Sequence, residues 1–166
     1  MKPYISTLFS LILLSSFAHG QQPFITTWAV DSVAPWQTCN TCLTIYADTN
    51  YIYNFEVDWE NDGIYDTAGV SGSITHDYSR NDTFTIAIRG TFPHFLANNA
   101  ANEGDELLEV NQWGDIEWES FEYTFGNCRN TAVVAVDTPD LSRVASFRYA
   151  FHNSRVDIPQ IGSWNV

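Results

Sequence analysis

The chain has 166 residues, of which 45% are hydrophobic and 15% aromatic, enough for one ordinary domain or two small units. Its formal charge of −13 sets twenty Asp and Glu against seven Lys and Arg. Such a surface repels nucleic acid and anionic membrane, which need clustered basic side chains, and the high aromatic content excludes a disordered acidic chain.

The first twenty residues read as a secretory signal peptide. Lys2 supplies the positive start, ISTLFSLILLSSF the apolar stretch, and Ala18 and Gly20 the small residues at −3 and −1 of a cut before Gln21. The apolar run falls short of the roughly twenty residues of a membrane span, and no second such run follows. The residue directly after the cut is Gln21, not the Cys that a lipid anchor would need. The mature protein is therefore expected to be secreted or at the cell surface, with no membrane span. Its formal charge would be −14, from six Arg against twenty acids and no Lys.

PFITTWAV at 23–30 and LTIYA at 43–47 read as strands. Between them stands Cys39-Asn40-Thr41-Cys42. In an oxidising compartment this pair is expected to close as a short disulfide. A redox catalyst would want a helix N-terminus at the first Cys, and here turn residues precede and a strand follows. Cys128 is left over and is expected to be buried.

YIYNFEVDW at 51–59 alternates, with Tyr53, Phe55, Val57 and Trp59 on one face, a strand period. NDGIYD interrupts it. ITHDY at 74–78 and TFTIAIRGTF at 83–92 follow, the latter alternating Phe84, Ile86 and Ile88 with Thr85, Ala87 and Arg89. Short strands at this spacing point to a β-sandwich.

The character changes after Phe95, and the polar stretch ANNAANEGDE is a plausible boundary. Beyond it SFEYTFGNC at 120–128 answers to SFRYAFHNS at 146–154, so Ser-Phe-x-Tyr-x-Phe-x-Asn recurs with an offset of 26. Trp118 answers to Val144 at the same offset, and Ile116 lies near the equivalent of Leu141. A fixed offset of this size is a solenoid signature, in which each unit needs neighbours to cover its apolar face. Trp164 falls 25 residues after Pro139, which lies 26 after Trp113, so a third unit would begin where the sequence stops. A truncated stack is the expectation.

Together FITTW, VDWENDG, ITHDY, TFTIAIRGTFP and LLEVNQWGDIEWESFEYTFGNC resemble the start of BspA-like leucine-rich-repeat surface proteins of bacteria. In that family a PKD-like β-sandwich precedes repeats of about 25 residues. The stretch VDW…DG…THDYSRNDTFTIAI is similar to the PKD half, and PDLSRVASFRYAFHNS…IGSWNV to the repeat unit. Family repeats usually carry Met where Phe121, Phe125, Phe147 and Phe151 stand here, and Cys128 matches a repeat-core Cys. The Cys-x-x-Cys has no counterpart in the pattern. The resemblance implies an exported adhesion or binding protein without catalytic residues.

The expected architecture is mainly β: a PKD/Ig-like β-sandwich at 22–97, a linker at 98–105, and two leucine-rich-type repeats at 106–166. Phe121, Phe125, Cys128, Phe147 and Phe151 are the expected repeat core, four-apart Phe pairs making a buried ridge. Trp113 and Trp164 are the candidates for an exposed binding surface.

The acidic stretch VDWENDGIYD at 57–66 admits three readings. Asp58, Glu60, Asp62 and Asp66 occupy cation-loop positions, but Gly69 stands where a bidentate Glu is wanted, which leaves a weak calcium site and no other cofactor. Catalytic carboxylates would need an enclosing apolar wall. The third reading is a hairpin tip, with Asn61-Asp62-Gly63 tolerating positive φ and the acids solvated, and it is preferred. Asp58 continues the strand and is expected to point away from the loop.

His76 and Asp77 lack a nucleophile elbow, His76 is expected to pack beside Tyr78, and His94 and His152 have no zinc spacing. The functional expectation is a non-enzymatic secreted or surface-associated module with an extracellular protein or glycan ligand. The alternative is the accessory N-terminal part of an exported hydrolase whose catalytic domain lies beyond Val166.

Overall fold

The structure, a computed structural model, describes residues 20–30, 39–97 and 106–166. The expected leader, up to residue 19, and the expected linker at 98–105 lie outside the described residues. No described helix is long and apolar enough to cross a membrane.

The chain is mainly β. Its described strands are β1 (Phe24–Val30), β2 (Cys42–Ile45), β3 (Asn54–Asp58), β4 (Thr67–Val70), β5 (Ile74–Asp77), β6 (Asp82–Thr91), β7 (Leu107–Gln112) and β8 (Ala132–Val133). Six form one sheet in the order β4-β3-β6-β1-β7-β8, and β2 pairs with β5 in a second. β1 lies between β6 and β7, antiparallel to both, whereas β8 joins β7 in parallel. The sheet thus carries the chain from antiparallel pairing to parallel stacking at β7.

Alternation along the strands decides their faces. Phe24, Thr26, Trp28 and Val30 of β1 point inward, and the buried Thr26 hydroxyl accepts the Trp28 indole N–H at 2.8 Å. On the other face Thr27 shares a 2.9 Å hydrogen bond with Thr85 on β6 and donates to Asn111 on β7, a cross-strand row. In β3 the inward Phe55 and Val57 meet Tyr53 and Trp59 at its ends, all buried. Leu43 and Ile45 of β2 bring the small sheet onto the same core.

Past β7 the chain turns sharply at Gly114, where φ is 65° and a Cβ would collide with the carbonyls of Gln22 and Pro23. Only Gly fits that approach. From there segments lie side by side in parallel. The amides of Phe121, Tyr123, Phe125 and Asn127 donate to the carbonyls of Ser146, Arg148, Ala150 and His152 at 3.0, 3.1, 2.9 and 2.8 Å. Residues 26 apart therefore sit in register: Phe121 meets Phe147 at 5.6 Å, Tyr123 meets Tyr149 at 5.0 Å, and Phe125 stacks on Phe151 at 5.8 Å. Both segments bend at equivalent residues, with φ of 56° and 59° at Tyr123 and Asn127 and 56° and 51° at Tyr149 and Asn153.

The opposite side of the first segment is covered by residues 93–97. Glu119 and Ser120 donate to the Pro93 carbonyl, and the Ala97 amide donates to the Thr124 carbonyl. Phe24, Phe92 and Phe95 meet Trp113, Trp118 and Phe125 in one aromatic core. Each large side chain so buried stabilises by about 1.5–3 kcal/mol.

Two expectations about the aromatics need correction. Trp113 is fully buried and Trp164 is 9% exposed, so neither forms a binding surface. Trp113 lies against the rings of Phe24 and Trp118, and Trp164 closes over Trp113 at 5.4 Å and Phe121 at 5.9 Å. Phe121, Phe125 and Cys128 are buried as expected of a core, but Phe147 and Phe151 are 38% and 39% exposed. One face of each of these two rings is covered by the first segment, and nothing described covers the other.

Candidate functional site

The acidic stretch connects β3 to β4, so it is the tip of an antiparallel hairpin. Asn61 and Gly63 hold φ of 52° and 93° there, the left-handed turns that Asn and Gly tolerate. Asp58 does not point away from the loop. It is 1% exposed, and its carboxylate accepts the amides of Glu60 at 3.3 Å, Asp62 at 3.1 Å and Gly63 at 2.7 Å. The strand continues to Asp58, but three inward loop amides draw its side chain under the tip. Asp66 accepts the Trp59 amide at 3.2 Å, and Asp62 the Ile64 amide at 2.9 Å.

Of the four expected cation ligands, Asp58, Glu60 and Asp66 bring carboxylate oxygens within 4.8 Å of one another, and Asp62 stays outside the group. Partial burial, then the neighbouring Asp66, raises the Glu60 carboxyl above its ordinary range. Both Asp58 oxygens already serve the loop amides, so the arrangement first of all orders the turn.

Cys39 and Cys42 lie at bonding distance, with sulfurs 1.95 Å apart, and Cys128 is a buried cysteine outside that pair. The Thr41 hydroxyl donates to Asp77 at 2.5 Å, which, with the Ser79 amide, lowers that carboxyl below its ordinary range. His76 stacks on Trp59 at 4.7 Å and meets Tyr78 edge-on at 4.5 Å, a packed side chain. The Tyr78 hydroxyl donates to the Trp59 carbonyl, and burial raises this phenol well above its ordinary range.

A larger feature has no local sequence pattern. The β2–β3 connection, residues 94–96, the segment 122–127 and His152 enclose a cleft of about 560 Å³. His94 forms part of its wall and is 2% exposed, with Nε2 2.7 Å from the Glu122 carbonyl. Its Nδ1 lies 3.4 Å from Asp48, within ion-pair reach but not aligned as a hydrogen bond, so this buried atom has no hydrogen-bond partner. Tyr53 braces the same corner, accepting the Asp48 amide at 3.1 Å and donating to the His94 carbonyl at 2.9 Å.

The outer face of the second parallel segment is the other candidate surface. In the first segment, Phe121, Tyr123, Phe125 and Asn127 donate their amides to its neighbour. Their in-register equivalents Phe147, Tyr149, Phe151 and Asn153 have no amide acceptor among the described residues. Tyr149 is 47% exposed beside the two half-open Phe rings. No protein-family model matches the chain, and neither a curated protein nor a solved structure matches it.

Proposed function

We propose that the chain is a non-enzymatic secreted or surface-associated module for adhesion or protein interaction. In this reading a PKD-like β-sandwich of the BspA-like kind caps one end of a leucine-rich-type stack, and the other end is the binding face. One observation carries it. The second segment presents the same Ser-Phe-x-Tyr-x-Phe-x-Asn side chains and the same row of amides that the first segment uses to hold its neighbour. A face of that kind takes a polypeptide by main-chain hydrogen bonds and aromatic packing. The occupant whose chemistry matches is an extended segment with apolar side chains at alternate positions.

The chain displayed on a non-adherent bacterium should confer attachment to surfaces coated with purified extracellular-matrix proteins. Replacing Phe147 and Phe151 together by Ser should remove most of that attachment, because both rings are open and their loss leaves the inner core intact. Attachment no better than that of undisplayed cells overturns the reading, as does attachment indifferent to the double substitution.

A further inference from the structure

We propose that the cleft between the β2–β3 connection and the parallel segments is a binding site for a neutral saccharide. Its volume, about 560 Å³, lies in the range of about 300–1,000 Å³ common to small-molecule sites. Four stretches of chain converge on it, and the buried His94 and Tyr53 hydrogen bonds fix two of them to each other.

The chemistry of the lining selects the ligand. Its two carboxylates already have partners within the protein. Asp48 accepts the Asn50 amide at 2.9 Å and side-chain amide at 2.8 Å, and its second oxygen faces His94 at 3.4 Å. Glu122 faces the Arg148 guanidinium and the Ser146 hydroxyl, each at 3.4 Å. An ionic ligand would have to compete with those partners, and an anion would also meet two carboxylates.

The unengaged groups are side-chain amides, a phenol and an imidazole. Asn127 accepts from Asn153 at 2.9 Å through Oδ1, which leaves its Nδ2 without a partner among the described residues. The Tyr123 hydroxyl and the Asn50 side-chain oxygen likewise have none there. The His152 ring makes an edge contact with Tyr149 at 5.5 Å. An amide donor, an amide acceptor, a phenol and an imidazole together match sugar hydroxyls, each of which donates and accepts at once. Tyr46 and Tyr123 add aromatic surface for the C–H face of a pyranose ring.

The test uses the full chain and five probes: maltotriose, cellotriose, xylotriose, mannotriose and chitotriose, with tetralysine as the cationic comparison. Saturation-transfer NMR at roughly 5 mM detects binding weaker than the micromolar range, and titration calorimetry measures it. Tyr123→Asn and Asn127→Asp remove the ring and the amide donor while keeping residues that tolerate the positive φ of 56° and 59° at these positions. At least one trisaccharide should bind, and each substitution should weaken it about tenfold or more while lowering the melting temperature by no more than about 4 °C. Phe147→Ser/Phe151→Ser should leave saccharide binding intact, so this outcome and that of the adhesion assay move separately. Failure of all five trisaccharides, binding that survives both substitutions, or binding of tetralysine alone overturns the proposal.

Discussion

Replacing Asp58 by Ala isolates what the acidic hairpin is for. The carboxylate is 1% exposed and accepts three backbone amides, at 3.3, 3.1 and 2.7 Å. Hydrogen bonds to a charged group are each worth about 1.5–3 kcal/mol when the partner stays buried. The surrounding tip is open, with Glu60, Asn61, Asp62 and Gly63 all exposed, so water takes over part of the loss. A net cost of about 3 kcal/mol is therefore expected, near one strong bond and part of another. At about 2.1 cal/mol/K per residue over 166 residues, that cost lowers the melting temperature by about 9 °C.

Asp58→Asn keeps one carbonyl acceptor and should recover about half of the loss, because a neutral acceptor forms bonds roughly half as strong. Thermal unfolding followed by Trp fluorescence reads both, and Trp59 sits beside the loop. The same melts with about 5 mM calcium and with chelator separate a turn from a cation site, since extracellular calcium modules bind in the 0.1–1 mM range. A turn predicts no response to either addition. A fall of under about 2 °C in the Ala variant would refute the energetic argument. A calcium-dependent rise that Asp58→Asn abolishes would refute the turn as the loop's main role.

Phe121→Ala should cost about 3–5 kcal/mol in urea unfolding, since that ring is fully buried against Trp113, Trp118 and Trp164. Phe147→Ala, at 38% exposed, should cost about 1 kcal/mol, and equal costs would contradict the open end. Burial raises the Tyr53 phenol from 10.0 to about 12, so its contribution is full below pH 10 and is lost as pH rises through about 12. A Tyr53→Phe variant should show a shallower alkaline decline over that interval, read by circular dichroism. Reducing Cys39–Cys42 should add about two hydrogens in intact mass. By loop-closure entropy it should cost about 2 kcal/mol. Cys128 should resist thiol reagents until the protein unfolds, because it is buried.

The strands that alternate over five or more residues were legible in the sequence. FITTWAV, NFEVD and DTFTIAIRGT carry inward residues at period two; the first and last form within one residue of their expected spans, and the middle one starts three residues later than expected. β4, TAGV, was not legible: it is four residues long, contains Gly69, and exists because β3 offers it a partner. β7 buries Leu107 and Val110, three apart, because its pairing with β1 shifts register twice, and a period-two reading misses it. The hairpin tip was visible in Asn61 and Gly63, but not the direction of Asp58, which depends on amides the loop supplies only once folded. The cleft was invisible for another reason: its lining comes from residues as far apart as Tyr46 and His152.

The two Trp residues show where the sequence reading of surface and core parted. Trp113 and Trp164, about one repeat offset either side of Pro139, were the candidates for an exposed binding surface. In the structure the chain folds each Trp inward: the Trp113 amide is held by Asp137 at 3.1 Å, and Asn165, beside Trp164, accepts the Leu141 amide at 3.2 Å. The polar neighbours meet the backbone and the indoles are left to fill the core. The stack consequently has unlike ends. One is sealed by residues 93–97 with carbonyls and rings of the sheet half. The other shows half-open aromatic rings beside four amides that have no acceptor among the described residues. An unpaired edge of this kind invites another strand or segment unless charge or bulk blocks it. Here Arg148 is paired with Glu122 in the segment beneath and reaches over Tyr149 at 4.9 Å, leaving Phe147 and Phe151 to define what can dock.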